Sequence, residues 1–264
     1  MIIALLFILF LFASVTCQFI PDPRQYQTTV LIGTRLVSFG GYTGKPEYTN
    51  ETIILDLSKS FDTSHPSWSV NIKGTAPMNT EFSTSCLSPI DQSTVYIIGG
   101  VSYDDASSRF VKPSLVYTFN SIESSWSPLT TNGFTTFDSN VSNIYNDMQA
   151  VMRHGLIYIF GGTNTPSPAE SNLTTISTLI TTMNILNTKK MTWLIFNFTD
   201  TPTAREGYSA TLLKNGYIVY IGGTEKNPNS NETNVNMNNV PIFDTDDLTW
   251  ISMVAAKPET DESA

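Results

Sequence analysis

A glycine pair closes an apolar strand four times at nearly constant spacing: Gly40-Gly41, Gly99-Gly100, Gly161-Gly162 and Gly222-Gly223. The steps are 59 residues (40 to 99), 62 (99 to 161) and 61 (161 to 222). One tryptophan trails each pair, at Trp68, Trp126, Trp193 and Trp250, and the chain holds no others. Such a period marks one supersecondary unit copied in tandem, which buries its apolar face only by stacking on its neighbours. The architecture is therefore far more constrained than the activity.

Each unit opens with two short strands and a tight turn. In the fourth, 208–213 and 217–221 are joined through Lys214-Asn215-Gly216, and an Asn-Gly step is a strong hairpin signal. The third pairs 149–152 with 156–160 through Arg153-His154-Gly155, and the first pairs 29–32 with 36–39 through Gly33-Thr34. In the second, Asp91-Gln92-Ser93 precedes 94–98. A polar stretch follows each glycine pair, then a third apolar strand (52–57, 114–119, 180–186, 240–243), then a short strand carrying the tryptophan.

Four antiparallel strands repeated about an axis form a β-propeller blade, so the expected class is all-β, with blades at about 21–72, 77–129, 134–197 and 202–254. Lacking Cβ, the glycines let an aromatic approach the backbone and allow positive φ where the strand ends. One indole per blade supplies apolar area between adjacent sheets.

The runs Leu36-Val37-Ser38-Phe39-Gly40-Gly41, Val95-Tyr96-Ile97-Ile98-Gly99-Gly100, Ile157-Tyr158-Ile159-Phe160-Gly161-Gly162 and Ile218-Val219-Tyr220-Ile221-Gly222-Gly223, each with its later tryptophan, resemble the kelch repeat family. The family's Pro-x-x-Arg lead-in is present as Pro21-Asp22-Pro23-Arg24 and Pro202-Thr203-Ala204-Arg205. The second repeat departs from it, with Thr80 in the arginine position after Pro77, and the third lacks it. The resemblance covers about 21–253 and implies a kelch-type propeller, whose rings close with more than four blades. Four readable blades therefore imply either an unusually small ring or an open arc, the latter fitting a shortened relative of a longer protein. An open arc leaves apolar faces bare at both ends, which call for a partner or a second copy.

The formal charge of -9 removes any electrostatic reason to bind nucleic acid or an anionic membrane surface. Residues 2–12 are uninterrupted aliphatic and phenylalanine, followed by Ala13-Ser14-Val15-Thr16-Cys17-Gln18. The run is shorter than the roughly 20 apolar residues that span a bilayer. Residues 1–17 read as a secretory signal peptide cleaved before Gln18, the alternative being an uncleaved membrane anchor. Residues 257–264 read as an acidic disordered tail. Cleavage would remove Cys17 and leave Cys86 alone on an apolar strand, an inert thiol with no disulfide framework.

Strand alternation puts the connection after each glycine pair and the links between blades on one face. Its long loops, 42–51, 101–113, 163–177 and 224–239, are the expected recognition surface. Aromatic and arginine side chains dominate interface energetics, so Tyr42, Tyr48, Tyr103, Asp104, Asp105, Arg109 and Phe110 are the candidate contacts. Glycosylation sequons stand at Asn50, Asn140, Asn172, Asn197 and Asn231. Glycans on Asn50, Asn172 and Asn231 would crowd those loops and push recognition toward the central mouth or the opposite side.

Catalytic constellations do not assemble. A galactose-oxidase-like copper enzyme, itself resembling a kelch propeller, needs two histidines and a tyrosine crosslinked to cysteine. Here His65 and His154 both fall in short connections on the opposite rim. Asp244-Thr245-Asp246-Asp247-Leu248-Thr249-Trp250 lacks the serine and glycine of a sialidase Asp-box. Asp104-Asp105 reads as a hydrated acid pair, and no metal or cofactor is expected. The sequence thus points to a secreted, non-catalytic scaffold for a protein or glycan partner. Its alternatives are a degenerate propeller oxidase and an arc completed by self-association.

Overall fold

The computed structural model describes residues 19–44, 49–71, 73–77, 79–104, 109–111, 115–133, 143–166, 177–226 and 232–254. The expected leader and tail lie outside these residues. Among those described, all regular structure is strand.

Blade 1 consists of β1 (Thr28–Ile32), β2 (Arg35–Phe39), β3 (Thr52–Asp56) and β4 (Trp68–Val70). A short β5 (Asn79–Glu81) leads into blade 2, which begins with β6 (Thr84–Leu87) and β7 (Thr94–Ile98). Between these and its outer strands lie β8 (Val101–Asp104) and β9 (Arg109–Val111); β10 (Val116–Asn120) and β11 (Ser125–Leu129) then complete the sheet. Blade 3 follows the same plan. After the lead-in β12 (Asn143–Asn146) come β13 (Ala150–Arg153) and β14 (Leu156–Phe160), then β15 (Thr163–Pro166) and β16 (Thr178–Leu179), then β17 (Met183–Asn187) and β18 (Thr192–Phe196). In blade 4, β19 (Ser209–Leu212) and β20 (Tyr217–Ile221) are separated by β21 (Thr224–Lys226) and β22 (Glu232–Asn234) from β23 (Asn239–Asp244) and β24 (Thr249–Val254).

Every blade is a four-stranded antiparallel sheet in the order first, second, third, fourth. The last turn shows why the sequence folds this way locally. An Asp or Asn ends each third strand, and its side-chain oxygen accepts the N–H two residues on: Asp56 from Ser58, Asn120 from Ile122, Asn187 from Lys189 and Asp244 from Asp246. Such Asx turns reverse the chain into the tryptophan strand.

Side chains alternate across each strand, so every blade has a front face toward the next blade and a back face toward the previous one. Phe119 and Trp126 of blade 2 pack on Phe39 of blade 1, and Phe243 and Trp250 of blade 4 close on the front of blade 3. Trp250 lies 4.6 Å from Phe160, ring centre to ring centre. Trp193 shares a cluster with Ile98 and Val116 of blade 2. The indoles of Trp126, Trp193 and Trp250 thus point backward into a preceding blade.

Trp68 occupies the corresponding place in blade 1, on a back face with no preceding blade among the described residues. First strands stack in series, β1 on β6, β6 on β13 and β13 on β19, so they lie nearest the axis. No comparable stack joins β19 to β1 among the described residues, and no sheet bridges blades 4 and 1. The four described blades therefore fit an open arc, an incomplete ring.

The polar stretches after the glycine pairs, read from sequence as loops, are partly ordered as strands. β8 pairs with β9, β15 with β16 and β21 with β22. Their backbone groups find partners in the lead-in segments, a long-range pairing that local sequence pattern does not encode.

Candidate functional site

The glycine-pair end of the axis is built from the four lead-ins. Each runs antiparallel to the segment after its own glycine pair: Gln25 with Tyr42, Glu81 with Val101, Asn146 with Thr163 and Glu206 with Thr224. The next residue is left-handed in all four, with φ of 62° at Tyr26, 56° at Phe82, 54° at Asp147 and 62° at Gly207. Two residues later the chain enters, or in blade 3 adjoins, the innermost strand, so Gln25, Glu81, Asn146 and Glu206, with Asp147 one residue on, ring the axial mouth.

The glycine pairs hold this mouth together. Gly162 donates its N–H to Arg205 O of the next lead-in at 2.7 Å, as Gly41 does to Thr80 O at 2.7 Å and Gly100 to Tyr145 O at 2.6 Å. At Gly161 a Cβ would sit 2.5 Å from that same Arg205 carbonyl, with the Tyr208 ring behind it at 3.1 Å. The closest neighbour is thus a carbonyl, and the aromatic assigned to this role from sequence is second.

The Pro-x-x-Arg arginines brace the same joint. Arg24 reaches Gly40 O at 3.3 Å and pairs with Glu51 at 2.8 Å. Arg205 is 1% exposed, its Nη1 lies 3.5 Å from Gly222 O, and burial holds its pKa below the ordinary guanidinium value.

Three carboxylates at the mouth have no cation within ion-pair distance among the described residues: Glu81, Asp147 and Glu206. Glu81 is 8% exposed, and burial, then the Asp147 charge, raises its pKa. Burial, reinforced by Glu206, pushes Asp147 up to about 6. Carboxylates packed together out of water resist ionisation, and a cation arriving there would relieve both effects. Sequence reading missed these residues because they lie 59 to 66 positions apart (147 to 206, 81 to 147). Each stands three residues before a first strand, at Thr84, Ala150 and Ser209, and that placement was the available signal.

Of the contacts expected from sequence, Tyr42 lies in the bridge to Gln25. The β8–β9 ribbon sets Tyr103 opposite Phe110 and Asp104 opposite Arg109. Tyr48 and Asp105 fall outside the described residues, as do the sequons at Asn140, Asn172 and Asn231. Asn50 is half-buried, its carbonyl accepting the Ala76 N–H, while Asn197 is exposed between blades 3 and 4. His65 hydrogen-bonds Ser64 in the β3–β4 connection, and His154 sits in the β13–β14 turn at φ 51°. They belong to different blades, and among the described residues no three His, Cys, Asp or Glu side chains converge as a metal site. Asp244, from the Asp-box-like stretch, is occupied as a turn cap. The buried Cys86 thiol is pushed up to about 12 by desolvation.

The family model described as Attractin/LZTR1 beta-propeller matches residues 13–264. The chain belongs to this family. It is 24% identical over 234 residues to "Kelch domain-containing protein 3" of Rattus norvegicus, and equally to that of Mus musculus. The aligned region is 86% of this chain and 56% of those relatives, so this kelch chain spans about half their length. Among solved structures, that titled "Structure of YjhT" superposes with a TM-score of 0.62 at 13% identity, over 90% of this chain and 67% of that one. That likeness shows the kelch-type propeller fold.

Proposed function

We propose that this kelch propeller is a secreted, non-catalytic scaffold that holds a protein partner at its glycine-pair mouth through basic side chains of that partner. The observation carrying this reading is the ring of Glu81, Asp147 and Glu206, two of them with raised pKa, unpaired among the described residues. The surrounding β-ribbons supply a wall for further contacts, and the net charge of -9 favours a cationic partner. A glycan ligand is the weaker version, since a neutral sugar gains nothing from the two desolvated acids Glu81 and Asp147.

The test uses the protein as secreted and a lysine- and arginine-rich peptide, read by fluorescence anisotropy at two salt concentrations. The triple variant Glu81→Gln, Asp147→Asn, Glu206→Gln is expected to weaken binding by about tenfold or more. Binding should also strengthen as pH rises through 6, where Asp147 ionises. Affinity unchanged by the triple variant would overturn the reading. Secretion is tested separately: the exported chain should begin at Gln18.

A further inference from the structure

The three internal joints share one recognition element, and each end of the arc carries half of it. At every joint the second glycine N–H of one blade donates to a lead-in carbonyl of the next: Gly41 to Thr80, Gly100 to Tyr145, Gly162 to Arg205. In blade 4 the equivalent donor is Gly223. No backbone acceptor serves its N–H among the described residues, and no described atom stands within 4 Å of a Cβ built on Gly222. At the other end, Arg24 precedes Gln25 as Thr80 precedes Glu81, Tyr145 precedes Asn146 and Arg205 precedes Glu206. No described backbone N–H donates to its carbonyl.

The apolar faces are divided the same way. Leu31 of blade 1 occupies the position of Leu87 in blade 2, which packs on the blade 1 cluster, but Leu31 is 55% exposed. Ile221 of blade 4 occupies the position of Phe39 and Phe160, which receive Trp126 and Trp250, and it is 45% exposed. Trp68 stands on the back face of blade 1, with no underlying blade among the described residues.

We propose that the front face of blade 4 receives the back face of blade 1 from a second copy of this chain. The Arg24 carbonyl of one copy accepts the Gly223 N–H of the other, and Trp68 lies over Ile221. Both halves of the joint are therefore present in one sequence. The arc keeps them apart within a molecule, since among the described residues no stack comparable to those of the internal joints joins β19 to β1. Ser209 and Thr211 stand on the blade 4 face where blade 1 presents Thr28 and Val30, so this joint is weaker than the internal ones and reversible. Contact between unlike faces is heterologous, closing into a ring or growing as the angle dictates.

Sedimentation of the secreted chain over a wide concentration range tests this. The weight-average mass should rise with concentration. Leu31→Glu and Ile221→Glu alter exposed positions, so both variants should fold with unchanged circular dichroism. Each alone should lose association by about tenfold or more. Mixed in equal amounts they should form a dimer that grows no further, since the intact blade 4 of the first variant meets the intact blade 1 of the second. A wild type that stays monomeric, a single variant that assembles normally, or a mixture that stays monomeric would each overturn the proposal. The mouth carboxylates are untouched, so peptide binding reports separately on the proposed function.

Discussion

Between blades 3 and 4 the glycine pair is a filled joint: Gly161 lies against Arg205 O, Gly162 donates to it, and Trp250 contacts Phe160, Tyr220 and Phe243. One repeat later the same motif is an open socket, with no described atom within 4 Å of a Cβ built on Gly222. At the far end, Trp68 offers the indole that such a socket would receive. A repeat motif therefore records how a blade is built to join, and the neighbour decides whether the joint is made. Stability in such arrays is a sum of unit and nearest-neighbour terms, so equivalent substitutions in the two settings should differ by the neighbour term.

The largest contrast is expected at the glycines. Gly161→Ala combines positive φ, 78°, with a Cβ 2.5 Å from a backbone carbonyl, and should destabilise by about 3 kcal/mol or more, or prevent folding. Gly222→Ala, at φ 73°, meets only the conformational penalty of about 1–2 kcal/mol. Urea denaturation of the two variants measures the difference, and equal losses would break the comparison.

Next come the indoles. Trp250→Ala removes the ring that fills the joint and should lose about 3–4 kcal/mol. Trp68→Ala, with no blade beneath the ring among the described residues, should lose about 1 kcal/mol in dilute solution. If Trp68→Ala grows more costly as protein concentration rises, the open end is being covered.

Much of the arc was legible because one signal repeated. The glycine pairs, the hairpin turns and the trailing tryptophans fixed four blades, their strand order and most strand limits within a few residues. Illegible was whatever depends on contact between repeats. The polar stretch after Gly99-Gly100 reads as a loop, yet β8 finds β5 and becomes a strand, since its partner lies some twenty positions upstream (101 to 81). The mouth acids escaped notice for the same reason: Glu81, Asp147 and Glu206 look like isolated surface acids until the axis gathers them. Tyr42, Tyr103 and Arg109 stand out by long-loop position and residue type, a signal separate from which side chains the axis gathers.

A smaller effect separates the mouth from the outer rim. Asp147 has a folded pKa near 6, above the ordinary carboxylate value, so the folded state holds its proton more tightly than the unfolded chain does. Stability from this group is full below about pH 4 and declines as pH rises toward 6. Asp147→Asn should therefore raise the melting temperature at pH 7 and leave it unchanged at pH 4. A variant equally stabilised at both would refute the desolvation assignment. The smallest effect is expected at Asp246, whose pair with Arg153 at 2.6 Å lies in solvent on the opposite face. Asp246→Asn should leave thermal stability unchanged at moderate salt, whereas a measurable drop would show that this rim also locks blade 3 to blade 4.

Cys86 gives the middle of the arc its own clock. It lies in β6 within the apolar layer shared by blades 2 and 3, and its thiol stays protonated to about pH 12. A maleimide or iodoacetamide added to the native protein should wait for that layer to part before it reacts. The rate of alkylation at Cys86 then times how often the central seam opens, independently of fraying at either end.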